Sequence, residues 1–369
     1  MTILHLLATP RAEGTPNLVL DWLGVPGHKQ EVFVFHHAPA DLTEELRRRA
    51  AWYGEGDLFE GSGWRKFLRV VRRVRAICAE RRPDMVVCWF LGFAQWAALG
   101  VRWARGGRVA FLAHSGNPPV RSRRGDWMGR FVMLPVWLLG GRVVCCSDYV
   151  RDLHRAVRGL PGRLFSTVHN CVRAEEVRAR AQAARAEAGA PGEDAPMGIM
   201  VATLEAHKDH VTLLRATALV RARQPKFCLW IVGQGSLRAE LEALAARLDL
   251  GGAVRFLGAR RDVPELLGRA SLFVFATTVQ EGLGSVLLEA LAAGLPILAT
   301  DCPACREVLA GGRYGELVRP ADPDALAAGI LRWLETKKPS PEPGGIAYAA
   351  GFTPERMLHA YLQAARLSP

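Results

Sequence analysis

Short apolar runs alternate along the chain with longer segments in which apolar positions recur every three or four residues. The short runs indicate buried parallel strands, and the longer segments indicate helices packed against them. The pattern predicts strands in the first half near 2–7, 31–35, 84–88, 108–113, 142–146 and 164–168, and in the second half near 196–201, 227–232, 253–257, 271–276 and 296–299. The predicted fold class is therefore α/β, with two Rossmann-like, doubly wound domains.

Two segments interrupt this alternation. Residues 173–196, RAEEVRARAQAARAEAGAPGEDAP, predict a helix followed by a loop, and KKPSPEPGGIA at 337–347 precedes a last helix near 353–366. We therefore expect an N-terminal domain at 1–172, a C-terminal domain at 173–350, and a helix within 351–369 that returns to the N-terminal domain. Ligands of such sheets bind at the carboxyl ends of the strands, so we expect the two domains to face a cleft.

Positive charge is concentrated in the first half of the chain. Residues 1–172 contain 25 Lys and Arg against 14 Asp and Glu, whereas the remainder contains 23 against 22. This excess favours an anionic partner such as a phospholipid surface, a phosphorylated lipid or an acidic glycan. Nucleic acid is not expected, because no recognised binding module is evident.

One predicted helix, at about 64–81, carries part of this charge opposite an apolar stripe. The stripe consists of Trp64, Phe67, Leu68, Val71, Val74 and Ile77, and the basic face of Lys66, Arg69, Arg72, Arg73 and Arg75. The alternative to a binding role is the solvated face of an ordinary surface helix.

The composition indicates in which cellular compartment the protein works. No run of eighteen apolar residues occurs, and the N-terminal MTILHLLATP lacks the basic segment of a signal peptide, so it indicates a first strand. Eight cysteines without secretory context indicate free thiols, and the CxxC at Cys302 and Cys305 indicates loop packing. We expect a cytoplasmic protein, with a peripheral position at the inner face of the plasma membrane as a further option.

The segment EGLGSVLLEALAAGLPILATD, at 281–301, places two glutamates in apolar company. The helix expected from about Ser285 to Ala293 is apolar nearly all round, so a buried glutamate there needs a partner. A capping box would require an acidic residue at Leu288, and Glu289 falls one position too late. A structural salt bridge remains the alternative to a binding role.

A glycine-rich turn precedes this helix. Gly282 and Gly284 allow backbone N–H groups and the positive helix end to face an anion such as phosphate. Glu289 lies roughly 6 Å further along the axis than Ser285, at about 1.5 Å per residue, where a carboxylate can accept hydrogen bonds from a ribose. Glu281 lies before the turn. The arrangement suits a nucleoside diphosphate with an attached group such as a sugar.

The sequence patterns of other nucleotide-binding or metal sites are incomplete in this chain. Gly233-Gln-Gly235 follows a strand, but Arg238 replaces the third glycine of a dinucleotide fingerprint, and no GxxxxGK[ST] sequence occurs. Lys208 follows a predicted strand and can neutralise a diphosphate. His207 and His210 are three residues apart, but no third ligand is evident, so no metal site is expected.

Taken together, these segments resemble retaining glycosyltransferases of family 4, which have two Rossmann-like lobes in the GT-B fold. The resemblance rests on GLGSVLLEALAAGLPILATD with its Glu-x7-Glu spacing, on VRFLGARRDVPELLGRASLFVFAT and on LWIVGQGSLRAELEALAARLDL, and it covers about 195–335. HNCV, at 169–172, is similar to the His-Asn-Gly-Val that the family usually has at the lobe junction.

The resemblance implies roles for individual residues. Glu281 would contact the donor sugar, Glu289 the ribose, the backbone of Leu283–Ser285 the diphosphate, and Lys208 the phosphates. Backbone near Gly258 would affect the choice of base. His114, after a first-domain strand, would lie near the transferred sugar; the alternative is a buried histidine bonded to backbone.

Three departures from the family pattern concern donor binding. Thr203 stands where most members have a phosphate-binding arginine, and Cys171 replaces the glycine after Asn170. The first loop, ATPRAEGTP, lacks paired glycines, although Gly14 can serve in part. We expect the absence of this arginine to affect the affinity for the donor more than it affects the fold.

The sequence thus predicts a retaining, metal-independent transfer of a sugar from a nucleoside-diphosphate sugar, UDP in preference to GDP. No cofactor is expected. The expected acceptor is a saccharide or lipid-linked saccharide of bacterial cell-surface glycan or lipopolysaccharide synthesis. The alternatives are a transferase with a soluble acceptor, a sugar-nucleotide epimerase of the same fold, and a non-catalytic nucleotide-binding protein.

Overall fold

The computed structural model describes residues 1–10, 14–36, 42–58, 63–104, 109–119, 122–157, 159–188, 196–336 and 344–366. The chain forms two compact units, the first from residues 1–171 and 354–369 and the second from 172–353. The boundary lies one residue before the predicted one. Residues 11–13 of the first loop, the loop expected at 189–195 and most of the stretch at 337–347 lie outside the described residues.

The first unit contains a seven-stranded parallel sheet in the order β3-β2-β1-β4-β5-β6-β7. Its strands are β1 (Thr2–Leu7), β2 (Lys29–Val34), β3 (Trp52–Glu55), β4 (Met85–Cys88), β5 (Ala110–Ser115), β6 (Arg142–Cys145) and β7 (Phe165–Thr167). The order reverses between β1 and β4, so the connecting helices lie on opposite faces of the sheet. The pattern did not predict β3, whose residues WYGE are only partly buried.

In the described part of the first unit, these strands are connected by the helices α1 (Gly14–Leu23), α2 (Thr43–Arg49), α3 (Gly63–Arg81), α4 (Ala94–Trp103), α5 (Arg123–Leu138) and α6 (Asp148–Arg155). Helix α3 buries Val71, Val74 and Ile77 of the predicted stripe. Trp64, the first member of the stripe, lies in the first turn of the helix and is 67% exposed. On the basic face, Lys66 lies over the ring of Phe93.

The second unit contains a six-stranded parallel sheet in the order β10-β9-β8-β11-β12-β13. Its strands are β8 (Met197–Val201), β9 (Cys228–Val232), β10 (Val254–Gly258), β11 (Leu272–Phe275), β12 (Ile297–Thr300) and β13 (Glu316–Val318). The order reverses between β8 and β11. The three-residue edge strand β13 was not predicted, because so short a segment has no readable period.

The helices of the second unit are α7 (Ala174–Ala188), α8 (His210–Arg223), α9 (Arg238–Arg247), α10 (Val263–Arg269), α11 (Val286–Ala292), α12 (Pro303–Val308), α13 (Pro323–Thr336) and α14 (Gly344–Ala349). The predicted nearly all-apolar helix is α11, and its buried residues are Leu287, Leu288, Ala290, Leu291 and Ala292. It packs against α7, α12, α14 and β12, which explains why apolar residues occupy most of its circumference.

The last helix, α15 (Pro354–Arg366), belongs to the first unit. It packs against α1, β5 and β6, and its side chains Met357, Leu358, Tyr361 and Ala364 join the core that β1, β2, β4 and α1 form. Residues 172–353 separate α15 from the rest of the first unit, and loop-closure entropy grows only slowly with the length of such a connection. Helix α15 therefore completes the core to which β1 belongs.

Candidate functional site

Two predicted site residues meet at the point where the strand order of the second sheet reverses. Lys208 lies in the loop after β8, and Glu281 lies in the loop after the neighbouring strand β11. Ligands of doubly wound sheets bind outside the carboxyl ends of the strands at such a switch point. The topology alone therefore marks this edge of the sheet as a candidate binding site.

Backbone hydrogen bonds hold the two loops together. The carbonyl of His207 accepts from the amide of Thr278 at 3.1 Å and from the hydroxyl of Thr277 at 2.9 Å. Thr277 is braced in turn by β12, because its amide donates to the hydroxyl of Thr300 at 3.0 Å. These bonds fix the backbone immediately before Lys208 and a few residues before Glu281.

Glu281 is buried, with 6% of its surface exposed, and it forms an ion pair with the ammonium of Lys208. Its carboxylate also accepts from the amide of Gly282 at 3.2 Å and the hydroxyl of Thr277 at 3.3 Å. Burial by itself raises the pKa of Glu281, but Lys208, together with His207 and the hydroxyl of Thr277, outweighs burial and holds the pKa below its usual value. Glu281 is therefore a charged carboxylate at neutral pH.

The ammonium of Lys208 is held from two sides. It pairs with Glu281, and it lies 5.1 Å from the centre of the Phe275 ring, at the end of β11. An ammonium has three donors, so the bond to Glu281 leaves donors for a second anion. The pair therefore joins two of the residues predicted to contact the donor.

The glycine turn lies directly beside this pair. Gly282, Leu283 and Gly284 are buried, and Gly284 has φ +75°, a conformation that glycine adopts without strain. Helix α11 then begins at Val286, and the side chain of Ser285 makes no capping hydrogen bond, which confirms that the segment is not a capping box. Glu289 is half-buried one turn into α11.

The glycines of the Gly233-x-Gly235 segment pack backbone against backbone. A Cβ at Gly233 would lie 1.9 Å from the carbonyl oxygen of Ala202, and one at Gly235 would lie 2.4 Å from that of Leu204. Gly258, at the end of β10 with φ +70°, accepts a hydrogen bond from the amide of Gly233 at 2.8 Å. These glycines bring the loops after β8, β9 and β10 together, a role that the sequence pattern did not reveal.

His210, one of the two histidines of this region, is bonded to the backbone. His210 is buried, and its Nε2 lies 3.1 Å from the carbonyl oxygen of Thr203, the residue at the position of the missing arginine. Burial lowers the pKa of His210 to about 4. Among the described residues, no group of three or more His, Cys, Asp or Glu side chains is arranged to hold a metal ion.

The first unit has its own pocket, of about 650 Å³, where its strand order reverses. Residues that follow β1, β4 and β5 line it together with one side of α5, including Thr9, Phe90, His114, Asn117, Met128 and Val132. Gly14 is the first residue of α1, and the next two residues, Thr15 and Pro16, also line the pocket. Gly14 and His114 therefore lie in the first unit, whereas the other predicted site residues lie in the second.

His114, near the end of β5, is buried at 2% exposure. Its Nδ1 lies 2.7 Å from the hydroxyl of Tyr361, so this nitrogen is bonded to a side chain of α15 and not to the backbone that the alternative interpretation assumed. Burial lowers the pKa of His114 to about 4. At neutral pH the imidazole is therefore uncharged. Sequence reasoning missed Tyr361, because nothing in the local pattern relates α15 to β5.

Helix α5 carries an exposed apolar surface beside this pocket. Trp127, Met128 and Phe131 are each more than half exposed, and the rings of Trp127 and Phe131 stack with centroids 5.7 Å apart. Met128 also lines the pocket, so the exposed surface and the pocket are continuous.

Among the described helices, none has the length and apolar character needed to cross a membrane.

Both halves of the chain match models of known families. Residues 23–176 match the family described as Glycosyltransferase Family 4, and residues 182–347 match Glycosyl transferases group 1. EpsD of Bacillus subtilis, described as a putative glycosyltransferase, is 28% identical over 271 residues, which cover 71% of this chain and 70% of that protein.

A second relative, LpsE of Rhizobium meliloti, is described as a lipopolysaccharide core biosynthesis glycosyltransferase and is 30% identical over 173 residues. The match covers 46% of this chain and 49% of LpsE, so this chain spans about half the length of that relative. A Campylobacter jejuni enzyme, named as an N-acetylgalactosaminyltransferase acting on a diphospho-undecaprenol-linked saccharide, is 31% identical over 141 residues and 38% of each chain.

Solved structures share the architecture of the whole chain. Anabaena HepE, solved with UDP and glucose, has a TM-score of 0.82 at 18% identity, with 100% of both chains covered. The apo form of WaaB, a lipopolysaccharide outer core galactosyltransferase, has a TM-score of 0.71 at 17% identity, with 99% of both covered. At such identities the likeness establishes the fold. Because both halves match glycosyltransferase models and the relatives are named as glycosyltransferases, this chain is a glycosyltransferase of the GT-B fold.

Proposed function

We propose that this glycosyltransferase transfers a sugar, with retention at the anomeric carbon and without a metal, from a nucleoside-diphosphate sugar to a saccharide or lipid-linked saccharide. The observation that carries the proposal is the ion pair of Lys208 and Glu281 at the switch point of the second sheet, beside a buried glycine turn. UDP is the proposed nucleotide in preference to GDP, and HepE, with the same fold, was solved with UDP and with UDP-glucose.

On the donor side, charge determines the proposed roles. The leaving nucleoside diphosphate gains negative charge as the glycosidic bond breaks, and Lys208 together with the backbone amides of Leu283–Ser285 would stabilise that charge. Glu281 would hold the donor sugar, and Glu289 the ribose. Since a cation and backbone donors supply the positive charge, no metal is needed at the diphosphate. Retention would follow from a same-face displacement through an ion pair.

On the acceptor side, the pocket of the first unit is the proposed docking place. Its lining combines apolar residues such as Phe90 and Val132 with His114 and the polar Thr9 and Asn117, a mixture that suits a sugar on an apolar carrier. The relative from Campylobacter jejuni is named for a lipid-diphosphate-linked acceptor, and LpsE for lipopolysaccharide core synthesis. We extend this class, bacterial cell-surface glycan synthesis, to the present chain.

The exposed surface of α5 supports a peripheral membrane position. Stacked, exposed Trp127 and Phe131 can enter the interfacial layer of a bilayer, and the positive charge of the first 172 residues attracts anionic headgroups. An enzyme held at that surface would meet a lipid-linked acceptor by diffusion in two dimensions. We propose a cytoplasmic enzyme that binds the inner face of the plasma membrane.

The thermal shift produced by UDP, GDP and ADP tests the donor site, because a ligand that binds only the native state raises its melting temperature. Wild type is compared with Glu289→Ala and with Glu335→Ala, an exposed glutamate on α13 that serves as the control. We expect UDP to give the largest shift in wild type and in Glu335→Ala, and a reduced shift in Glu289→Ala. Equal shifts in all three proteins would exclude Glu289 from the nucleotide site.

Turnover then separates transfer from the other chemistries. Wild type is incubated with UDP-glucose, UDP-galactose and UDP-N-acetylglucosamine, with and without EDTA, and UDP release and sugar products are measured. The proposal expects UDP release that EDTA leaves unchanged. Conversion of one UDP-sugar into another would indicate an epimerase, and tight UDP binding without turnover of any donor would indicate a non-catalytic protein.

A further inference from the structure

The hydroxyl of Tyr361 and the imidazole of His114 form one hydrogen-bonded unit inside the first core. The oxygen lies 2.7 Å from Nδ1 of His114, Tyr361 is fully buried, and His114 is 2% exposed. Tyr361 lies on α15, whereas His114 lies near the end of β5 and lines the pocket. A residue eight positions from the end of the chain thus contacts the histidine predicted to act at the transferred sugar.

The direction of this hydrogen bond follows from where the protons must go. Burial raises the pKa of Tyr361 well above its usual value, so the phenol keeps its proton, and His114 is uncharged at neutral pH. Within the described part of the chain, Nδ1 of His114 is the acceptor within reach of that buried O–H. A proton on Nδ1 would leave the phenol O–H without an acceptor, which is costly in an apolar core. The hydroxyl therefore donates to Nδ1.

We propose that Tyr361 is a positioning residue that holds His114 in the tautomer protonated at Nε2, with the Nε2–H available as a donor in the pocket. Gly116, which lines the pocket, lies next to this nitrogen: a Cβ there would be 3.3 Å from Nε2. A neutral imidazole in this tautomer donates a hydrogen bond to a hydroxyl or carbonyl oxygen of a substrate. It does not accept a proton at Nε2, so His114 is not the general base of the transfer.

The surrounding aromatic network fixes the ring of Tyr361. The ring packs edge-on against Trp22 at 4.8 Å and stacks with Trp89 at 5.8 Å between centroids. Trp89 is itself oriented, since its Nε1 donates to Nδ1 of His5 at 3.0 Å. An indole N–H can only donate, so His5 carries its proton on Nε2 and donates it to Gln30 at 3.1 Å. This chain of bonds leaves Tyr361 little freedom to turn away from His114.

This inference rests on the proposed function only where it concerns catalysis, because the tautomer can be measured without a donor. The experiment is long-range proton-nitrogen NMR at neutral pH on protein labelled with nitrogen-15 in histidine, which distinguishes protonated from unprotonated ring nitrogens. The His114 signals are identified as those that His114→Gln removes. His5, whose tautomer Trp89 dictates, serves as the internal reference.

The variant is Tyr361→Phe, and the control is Tyr314→Phe, a buried tyrosine of the second unit. We expect wild type and Tyr314→Phe to show His114 protonated at Nε2 and bare at Nδ1. In Tyr361→Phe we expect the Nδ1 signal to move and the other tautomer to become populated, while the His5 signals stay in place. Unchanged His5 signals show that the core is still folded.

Two results would overturn the inference: a proton on Nδ1 of His114 in wild type, or His114 signals that Tyr361→Phe leaves unchanged. The contribution of Tyr361 to catalysis is tested by measuring UDP-sugar turnover. Because Tyr361→Phe no longer positions His114, we expect kcat to fall about tenfold or more with little change in KM. A change of tautomer in Tyr361→Phe without any change in kcat would show that Tyr361 does not contribute to the rate of transfer. Absence of turnover in wild type with every UDP-sugar would count against the proposed function alone.

Discussion

Lys208 and Glu281 form a buried ion pair although 73 residues separate them in the chain. One follows β8 and the other follows β11, so the pair exists because these strands are neighbours in the sheet. Glu281 cannot remain charged at this depth without a partner, and Lys208 is the nearest cation. The stability of the second unit and the charge of the proposed donor site therefore depend on the same contact.

A double-mutant cycle measures this coupling. Lys208→Met and Glu281→Gln each leave one member without its partner, and breaking a buried pair typically costs about 3–5 kcal/mol. The double variant is expected to be less destabilised than the sum of the singles, by about 1–3 kcal/mol of the free energy of unfolding. Urea denaturation of the four proteins gives these values. Strictly additive effects would show that the two side chains do not interact in solution.

The buried His154 of α6 should make the stability of the first unit depend on pH. Burial lowers its pKa from 6.5 to about 4, so between these values the unfolded chain binds a proton that the folded chain does not. The free energy of unfolding therefore falls as the pH decreases from 6.5 to 4, with about 1.4 kcal/mol per pH unit from each such histidine.

The test is His154→Gln, in which the slope of unfolding free energy against pH in this window should be smaller by about that amount. Glutamine retains a polar group near the hydroxyl of Ser115, which lies 2.8 Å from Nε2 of His154. His359→Gln, at an exposed position on α15, is the control and should preserve the wild-type slope. A slope in His154→Gln equal to that of wild type would mean that His154 is not buried in its neutral form.

Close backbone packing at Gly235 should make this position intolerant of any side chain. A Cβ there would lie 2.4 Å from the carbonyl oxygen of Leu204, and backbone cannot move aside cheaply. Gly235→Ala is therefore expected to lower the free energy of unfolding by about 1–3 kcal/mol, as overpacking typically does. Gly251→Ala is the control and should have little effect, because no atom would lie within 4 Å of the added Cβ. Thermal unfolding of both variants and of wild type measures the difference. Equal stability of the two variants would contradict the observed loop packing.

The exposed surface of α5 should determine binding to lipid. Trp127→Ser combined with Phe131→Ser removes the stacked pair, and we expect co-sedimentation with phosphatidylglycerol vesicles to fall severalfold at low salt. Leu219→Ser, at a residue that is 42% exposed in the second unit, is the matched control and should bind as wild type does. Added salt should weaken binding of all the proteins, because it screens the attraction to anionic headgroups. Undiminished binding of the double variant would exclude α5 from the membrane surface.

The structure agrees with the sequence where a local signal was strong. Strand β1 (Thr2–Leu7) and strand β12 (Ile297–Thr300) are short apolar runs that the core buries, and both were predicted to within one residue. Strands β3 and β13 were missed, because their segments, WYGE and ELV, are short and mostly only partly buried and so carry little apolar pattern. Trp64 continues the apolar period of α3 into the first turn but is 67% exposed there, so periodicity alone did not show where the packed part of the helix begins.

For the candidate site, the glycine turn, the start of α11 and the unusual presence of Glu281 in apolar surroundings could all be predicted, since each depends on neighbouring residues. Three contacts became evident from the folded chain alone: Lys208 is the partner of Glu281, Gly233 and Gly235 serve loop packing, and Tyr361 is hydrogen-bonded to His114. These contacts join residues distant in the chain. The sheet order and the docking of α15 create them, and a periodic pattern carries no information about which distant segments will become neighbours.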